Sequence, residues 1–497
     1  MKVRLMYRDA DFDPEDVEIP FAGDLARDLQ LEHLWDALSG GDSFVRHVAR
    51  CATLQPLDDP DVIDYRQRAC HDALRNPDAV LRLYALTVDA LVLRRKIFLL
   101  PVSGNPQMEL SFAVRMMSGF ADIFARMTDL AAEVAGRFES AAFRGLWDTV
   151  TRELDDDYLR MLRKTLSELD FPDGMLMSAG IGLGGAVVDQ WAKQPRRVRK
   201  RLHTRIALTR PSFSFTLPER DDAGADALMR LRQRGLNDIA NAATQSVEHV
   251  LSFFTALRTE LAFYLACTNL AARLREIGSP VTFPMLDADE VAADGLYDPC
   301  LAVTVGRAPV GNSVELARGS LLIITGANRG GKSTMLRALG VAQLMAQSGM
   351  FVAAQRFRAP VARRVLTHWT RDEDVELVHG KFDDELERME QIISIIAPRD
   401  LLLCNETFAS TNEIEGSEIL FEITQPLVGN EIRLYIVTHL FDFAYRASSA
   451  PDLDVVFLRA PRRGTDDDFQ LRPGPPSPTS YGMDYYDQVF GTHYSER

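Results

Sequence analysis

The chain has 497 residues, of which 46% are hydrophobic and 26% charged, a composition typical of globular rather than disordered or fibrous proteins. Because this length exceeds that of one ordinary hydrophobic core, we expect two or more domains. The formal net charge of −15 repels nucleic acid on average, so any contact with DNA or RNA requires a local basic surface.

Cysteine usage and the N-terminus indicate a cytoplasmic protein. No C-x-x-C pair is present, so neither a disulfide framework nor a zinc site is predicted from Cys51, Cys70, Cys267, Cys300 and Cys404. The N-terminal residues lack the apolar segment of a secretory signal. The most apolar helix candidate, Leu81 to Leu100, is interrupted by charged residues, so no membrane association is expected.

Residues 1 to 300 are predicted to be mostly helical. Asp59 followed by Pro60 is typical of an N-cap and a first helical turn, and Asn76-Pro77 is expected to end that helix. Amphipathic patterns of helical period continue as far as Ile277. Such long patterns predict an extended helical body.

Two local patterns interrupt this body. Gly180 to Gly185 matches G-x-G-x-x-G, but no βαβ pattern surrounds it, so we interpret it as a turn rather than a dinucleotide site. Lys193 to Arg205 contains seven Lys or Arg in thirteen positions. This run would suit nucleic-acid phosphates, and a solvated face or a contact to an acidic partner is an equal alternative. The candidate nucleic-acid residues are Arg196, Arg197, Arg199, Lys200 and Arg201.

From about residue 301, short apolar runs alternate with helical patterns. This alternation predicts an α/β domain over residues 301–497 with a mainly parallel sheet. The strand candidates are Leu301 to Val305, Leu321 to Thr325, Val365 to Trp369, Leu401 to Cys404, Leu434 to Thr438 and Val455 to Leu458.

A phosphate-binding loop follows the second of these strands. The spacing G-x-x-x-x-G-K-S lets backbone N–H groups turn toward a polyphosphate at the start of a helix. We expect Lys332 to reach the phosphates of ATP and Ser333 to offer its hydroxyl to Mg²⁺. The predicted nucleotide-binding residues are Gly326, Asn328, Gly330, Gly331, Lys332, Ser333 and Thr334.

Polar residues end two later strands. Leu401 to Cys404, expected beside the P-loop strand, leads into Asn405 and Glu406, where P-loop ATPases carry one acid for Mg²⁺ and a second that orients the attacking water. Glu406 fits the second role, whereas Asn405 keeps an oxygen for the metal but no charge, which predicts slow hydrolysis. Leu434 to Thr438 leads into His439, a second candidate catalytic residue.

These segments resemble the MutS family. The P-loop segment is similar to the family's T-G-P-N-M-G-G-K-S-T, Asn405 to Gly416 keeps the length of its D-E-x-G-R-G-T-S-T-x-D-G segment, and Val437 to His439 is similar to A-T-H. Two further segments carry weaker resemblance. They are Leu54 to Leu57 with Ile63, Arg66 and Gln67, which resembles L-x-Q-P-L…I-x-x-R-Q, and Ser480 to Gly482, which resembles S-Y-G.

The resemblance implies a helical core and lever over residues 1–300, followed by an ABC-type P-loop ATPase domain. It further implies a homodimer with composite nucleotide sites that acts as an ATP-gated clamp on mismatched, branched or distorted DNA in repair or recombination. The family's F-x-E mismatch wedge has no counterpart before Leu54.

The family's S-T-F signature, which serves the partner's nucleotide, appears here as Gly380, Lys381 and Phe382, with Glu385 retained. Lys381 would supply a charge in place of the missing serine hydroxyl. The alternative function is a nucleotide-binding switch or scaffold that hardly hydrolyses ATP and engages a protein or RNA assembly. Asn405 and Gly380 are the features that separate the two hypotheses.

Overall fold

The computed structural model describes residues 2–15, 19–97, 105–171, 175–185, 187–193, 216–218, 220–371, 380–460 and 469–476. The chain forms two compact units. One consists of Met1–Val3, Leu81–Arg137 and Arg144–Arg258, and the other of Arg4–Val80, Phe138–Phe143 and Thr259–Arg497. The units join segments that are distant in sequence, so the sequence division at residue 300 stays a prediction.

Helices dominate the first 276 residues. Asp59 accepts a hydrogen bond from the Asp61 amide (2.9 Å) and Pro60 occupies the first turn of the helix that ends before Asn76, which confirms the predicted helix and its caps. The α-helices of the described chain are α1 (Ala22–Asp28), α2 (Leu31–Ser39), α3 (Ser43–Leu54), α4 (Pro60–Arg75), α5 (Pro77–Ile97), α6 (Pro106–Val134), α7 (Ala141–Glu153), α8 (Asp156–Leu169), α9 (Asp222–Glu276), α10 (Pro299–Val305), α11 (Lys332–Gln347), α12 (Lys381–Ile395), α13 (Glu413–Gly429) and α14 (Phe441–Ser449).

One predicted strand is a helix. The segment Leu301 to Val305 lies in α10, so its prediction as a strand was wrong. The Asp298 side chain accepts hydrogen bonds from the Cys300 and Leu301 amides, and Pro299 occupies the first turn. This N-cap and the proline outweigh the strand preference of the β-branched residues that follow.

The central sheet has six strands in the order β11-β10-β5-β9-β8-β7, and all neighbours are parallel except β10 and β11. The mainly parallel sheet predicted from the alternating pattern is therefore confirmed, and five of the six strand candidates lie in it. The strands of the described chain are β1 (Leu176–Ile181), β2 (Val187–Lys193), β3 (Asp287–Leu296), β4 (Asn312–Leu316), β5 (Leu321–Gly326), β6 (Arg356–Pro360), β7 (Val365–Trp369), β8 (Leu401–Asn405), β9 (Arg433–Val437), β10 (Val455–Ala460) and β11 (Arg472–Pro473).

The order of the central strands differs from the prediction in one respect. Strand β9 lies between β5 and β8, with Tyr435 opposite Leu322 on one side and Leu403 on the other. The strand that ends at Asn405 is therefore not next to the P-loop strand. Strands β5, β8 and β9 are all buried along their apolar runs, as expected in a covered parallel sheet, so this pattern does not determine which of them pairs with which.

The glycine-rich segment belongs to an antiparallel hairpin of β1 and β2, with Gly184 at φ +72° in the connection. It is a turn, as predicted, and the described residues on either side of it form this hairpin. The candidate nucleic-acid residues Arg196, Arg197, Arg199, Lys200 and Arg201 lie outside the described residues, as does Ser480 to Gly482. A separate sheet has the order β4-β3-β6.

By length and hydropathy alone, one helix of the described ranges could cross a membrane. It is α9 and not the stretch from Leu81 to Leu100. The apolar window of α9 is 67% buried within the protein, as in the core helix of a globular domain.

The C-terminal end of α11 is bonded to the segment that resembles the family's helical core. The Gln347 side chain is fully buried, and its Nε2 donates to the carbonyl oxygens of Leu57 and Ala362, both at 2.7 Å. The Leu57 amide donates in turn to the Gln347 carbonyl oxygen (2.9 Å). These bonds join the end of α11 to the backbone at Leu57.

Candidate functional site

The loop between β5 and α11 is packed so closely against β10 that only glycine fits at two positions. A methyl group added at Gly326, which has φ +107°, would lie 2.6 Å from the carbonyl oxygen of Ala460. One added at Gly330 would lie 2.7 Å from the Ala460 Cβ. Gly331 is the N-cap residue of α11, a helix of 16 residues. The backbone N–H groups of the loop therefore lie at the positive, N-terminal end of this helix.

Lys332 is buried, with 5% of its surface exposed. Its Nζ donates to the carbonyl oxygen of Gly326 (2.8 Å) and to Asn328 Oδ1 (3.2 Å). Burial lowers the pKa of Lys332, and the carboxylate of Glu406 acts in the opposite sense. The ammonium group is thus held over the loop by acceptors that belong to the loop itself.

Ser333 and Asn405, the two residues predicted to serve the metal, are in contact. Ser333 Oγ donates to Asn405 Oδ1 at 2.8 Å, which joins the first turn of α11 to the end of β8. No group of three or more His, Cys, Asp or Glu able to hold a metal ion occurs among the described residues.

Glu406 and His439, the two predicted catalytic residues, form a hydrogen-bonded ion pair between Glu406 Oε2 and His439 Nδ1. The pair bridges the ends of β8 and β9. The bond to Glu406 raises the pKa of His439, partly opposed by burial. Glu406 has φ +57° and its amide donates to the Val437 carbonyl oxygen (2.8 Å), so the turn after β8 is fixed to the neighbouring strand.

Lys332, Ser333 and Glu406 line a cavity of about 780 Å³, a volume in the range of small-ligand sites. Asn405 and His439 are not among the described residues that line it. The polar residues of the cavity lining include Asn328, Arg329, Lys332, Ser333, Thr334 and Glu406. The apolar part of the lining was not predicted from the sequence and includes Leu301, Val305, Pro309, Met335, Ala338 and Phe469. The cavity can therefore take a ligand that has both anionic and apolar parts.

Lys381 and Phe382, the predicted residues for the partner's nucleotide, begin α12, where Gly380 is the N-cap. Phe382 packs edge-on against Phe408, with ring centroids 6.2 Å apart. Among the described residues, neither Lys381 nor Phe382 lines the cavity. Their predicted role in a partner's site stays a prediction.

The fold and the site together define the class of protein. It contains a parallel α/β domain in which a glycine-bounded loop, a buried lysine and a carboxylate line one cavity. The chain belongs to the MutS family. Residues 58–277 match the family model described as the MutS2 N-terminal domain, and residues 322–488 match the one described as MutS domain V. The two matches together span most of the chain, in agreement with the resemblance seen in the sequence.

Similar proteins carry MutS names. Human "MutS protein homolog 4" is 28% identical over 33% of this chain and 18% of its own length. "Endonuclease MutS2" of Lactobacillus johnsonii is 29% identical over 36% of this chain and 22% of its own. "DNA mismatch repair protein MutS" of Natronomonas pharaonis is 27% identical over 55% and 32%. The chain thus spans less than a third of the length of each of these relatives over the matched segments.

Proposed function

We propose that this chain is a MutS-type ATPase that binds ATP with Mg²⁺, hydrolyses it slowly, and acts on mismatched, branched or distorted DNA in repair or recombination. The observation that carries the proposal is the convergence of Lys332, Ser333 and Glu406 on one cavity. The names of the relatives support DNA mismatch repair as the general context.

The residues of the cavity fit the proposed ligands. Lys332 would exchange its loop acceptors for phosphate oxygens, and the N-terminal end of α11 would add its partial positive charge. Ser333 and Asn405 would hold Mg²⁺, which supplies charge neutralisation on the phosphates when bound. Glu406 would orient the attacking water and accept its proton, while His439 holds the Glu406 carboxylate in place.

ATP turnover, measured with and without duplex, mismatched, branched and single-stranded nucleic acids, tests this proposal. We expect slow basal turnover that changes in the presence of DNA. A protein that does not bind ATP would contradict the site. Tight ATP binding with no turnover on any nucleic acid would instead favour the nucleotide switch or scaffold.

Restoring an acid at the end of β8 should speed hydrolysis. We expect Asn405→Asp to raise kcat about tenfold, which corresponds to ~1.4 kcal/mol in the transition state. The added carboxylate keeps the oxygen that accepts from Ser333 and gains a charge close to the metal. The measurement is steady-state turnover at saturating MgATP. Asn430→Asp, an exposed site at the end of α13, is the matched control and should not change kcat.

If Asn405→Asp is no faster than the unmodified chain, another residue already supplies the missing charge. Glu413, at the start of α13, is the first such residue to test.

The ion pair of Glu406 and His439 predicts a dependence of turnover on pH. The pKa of His439 is raised above 6.5, so the imidazolium persists above that pH and is lost as pH rises through the raised value. A neutral imidazole lowers the basicity of Glu406 less than an imidazolium does. We therefore expect kcat to rise with pH through this value, and the rise to disappear in His439→Gln. An identical pH profile in the variant would show that His439 does not control Glu406.

The same pair gives the opposite trend for stability. A raised pKa contributes stability that is fully present below about 6.5 and is lost as pH rises through the folded value. Because the His439 side chain is 43% exposed, solvent screens this contribution.

We propose that the protein acts as a homodimer through the α/β domain, with Lys381 and Phe382 serving the partner's nucleotide.

We propose that the contact with DNA is electrostatic. DNA binding should weaken steeply with salt, and it should weaken further when Arg196, Arg197, Arg199, Lys200 and Arg201 are changed to glutamine. The expected preference for a mismatch is small, because phosphate contacts carry no direct information about the bases. Filter or anisotropy titrations at several salt concentrations measure both effects. Tight, mismatch-selective binding that survives these substitutions would contradict the assignment of the basic run.

A further inference from the structure

A buried network links the turn that carries Glu406 to the helix that carries Lys381. The side chains of His368, Thr407 and Glu385 are 0%, 0% and 1% exposed. Thr407 Oγ1 lies 2.9 Å from His368 Nδ1, and His368 Nε2 lies 3.0 Å from the backbone carbonyl oxygen of Glu385. The histidine on β7 therefore stands between residue 407, next to Glu406, and the first turns of α12.

The direction of these hydrogen bonds follows from chemistry. Burial, together with the charge of Arg388, lowers the pKa of His368 to about 4, so the ring is neutral and carries one proton. The Glu385 carbonyl oxygen can only accept, so that proton is on Nε2. Nδ1 is then an acceptor for the Thr407 hydroxyl, whose other nearby acceptor is the His368 carbonyl oxygen at 3.2 Å. The bonds thus run from Thr407 through His368 to Glu385.

Two more contacts join the same turn to the same helix. Ser410 Oγ donates to Glu385 Oε2 at 2.8 Å, and the ring of Phe408 meets that of Phe382. The turn itself is conformationally strained, since Glu406 and Phe408 both have positive φ, at +57° and +60°. A turn of this kind keeps its shape only where its surroundings hold it.

We propose that Thr407 and His368 are positioning residues, which hold the Glu406 turn against α12 so that the orientation of the Glu406 carboxylate depends on the position of α12. The proposal rests on the proposed hydrolysis by Glu406 and adds a coupling to it. A displacement of α12 at Lys381 would be transmitted through Glu385 and His368 to the residue adjacent to the catalytic carboxylate. Nucleotide hydrolysis and the contact made by Lys381 would then depend on each other.

The test removes one hydroxyl and keeps the shape of the side chain. Thr407→Val should lower kcat about tenfold and leave the Kd for ATP within about twofold, since Lys332 and its loop are untouched; a tenfold change in kcat corresponds to ~1.4 kcal/mol. Thr407→Ser restores the hydroxyl and should restore kcat. Thr424→Val is the matched control, because Thr424 is also fully buried and its hydroxyl donates to Leu420 within α13. Its kcat should stay close to that of the unmodified chain.

A second readout does not depend on hydrolysis. If Glu406 turns away from His439 in Thr407→Val, the raised pKa of His439 should fall toward 6.5, which NMR titration of labelled histidines measures, with His439→Gln identifying the signal. In a double-mutant cycle on kcat, Lys381→Ala and Thr407→Val should be non-additive, and additive effects would overturn the coupling to α12.

The outcomes separate this inference from the proposed function. Absence of turnover in the unmodified chain would overturn the proposed function, and the His439 titration would still decide whether Thr407 positions Glu406. An unchanged kcat together with an unchanged His439 titration in Thr407→Val would overturn the positioning role alone.

Discussion

Lys332→Ala is expected to reduce the affinity for ATP about a hundredfold, which corresponds to ~2.7 kcal/mol. Lys332 is a buried charged side chain that lines the cavity and is bonded to the loop, and charge-assisted hydrogen bonds of the kind proposed with phosphate contribute about 1.5–3 kcal/mol each. Its replacement deletes the charge while leaving the glycines and the end of α11 in place. Isothermal titration with ATP measures the change.

Lys332→Ala should not lower the stability of the protein without ATP. Burial already lowers the pKa of Lys332, so the folded state gains little from its charge, and we expect the melting temperature to stay the same or rise. Lys164→Ala on α8, where the side chain is 65% exposed, is the control for the loss of a lysine. Unchanged ATP affinity in Lys332→Ala would show that the loop between β5 and α11 is not the phosphate site.

Glu406→Gln should reduce kcat by about two to four orders of magnitude, the range expected for the loss of a general base. The amide has the shape of the carboxylate but cannot accept a proton from water. ATP binding should remain close to normal, because Lys332 and its loop, the proposed phosphate contacts, are unchanged. Single-turnover hydrolysis with a parallel binding titration separates the two effects.

The substitution also removes the anion that raises the pKa of His439. The titration of His439 should therefore move down in the same variant, which confirms that the ion pair has been broken. Glu422→Gln on α13 is a matched change of charge and size, and it should leave kcat unaltered. If Glu406→Gln turns over as fast as the unmodified chain, Glu406 is not the catalytic carboxylate and the nucleotide switch becomes the better description.

The strands of the central sheet could be predicted because parallel strands covered on both faces are continuous apolar runs, such as Leu401 to Cys404. The polar residues at their ends were predicted by spacing alone, and the structure brings Lys332, Ser333 and Glu406 to one cavity. Features that depend on local sequence patterns could therefore be predicted. The segment Leu301 to Val305 shows the limit of periodicity, since its helix depends on Asp298 and Pro299 just before it.

The rest depends on contacts between distant parts of the chain. No local sequence pattern determines that β9 pairs with β5 on one side and with β8 on the other. The apolar lining of the cavity combines residues of α10 with Phe469, whose carbonyl oxygen accepts a hydrogen bond from Asn312, 157 residues earlier. The link from Thr407 to α12 likewise passes through His368 on another strand. Such residues are recognised only after the fold has brought them together.

The bonds of Gln347 have a mechanical consequence. Helix α11 has 16 residues and so measures roughly 24 Å, with the proposed phosphate contacts at one end and Leu57 bonded to the other. A helix transmits displacement along its axis with little compression, because its hydrogen bonds run parallel to that axis. A shift of Lys332 when the proposed triphosphate is bound or hydrolysed would therefore move the backbone at Leu57 by a similar distance. Helix α11 would act as a rigid link between the proposed phosphate site and the segment just before α4.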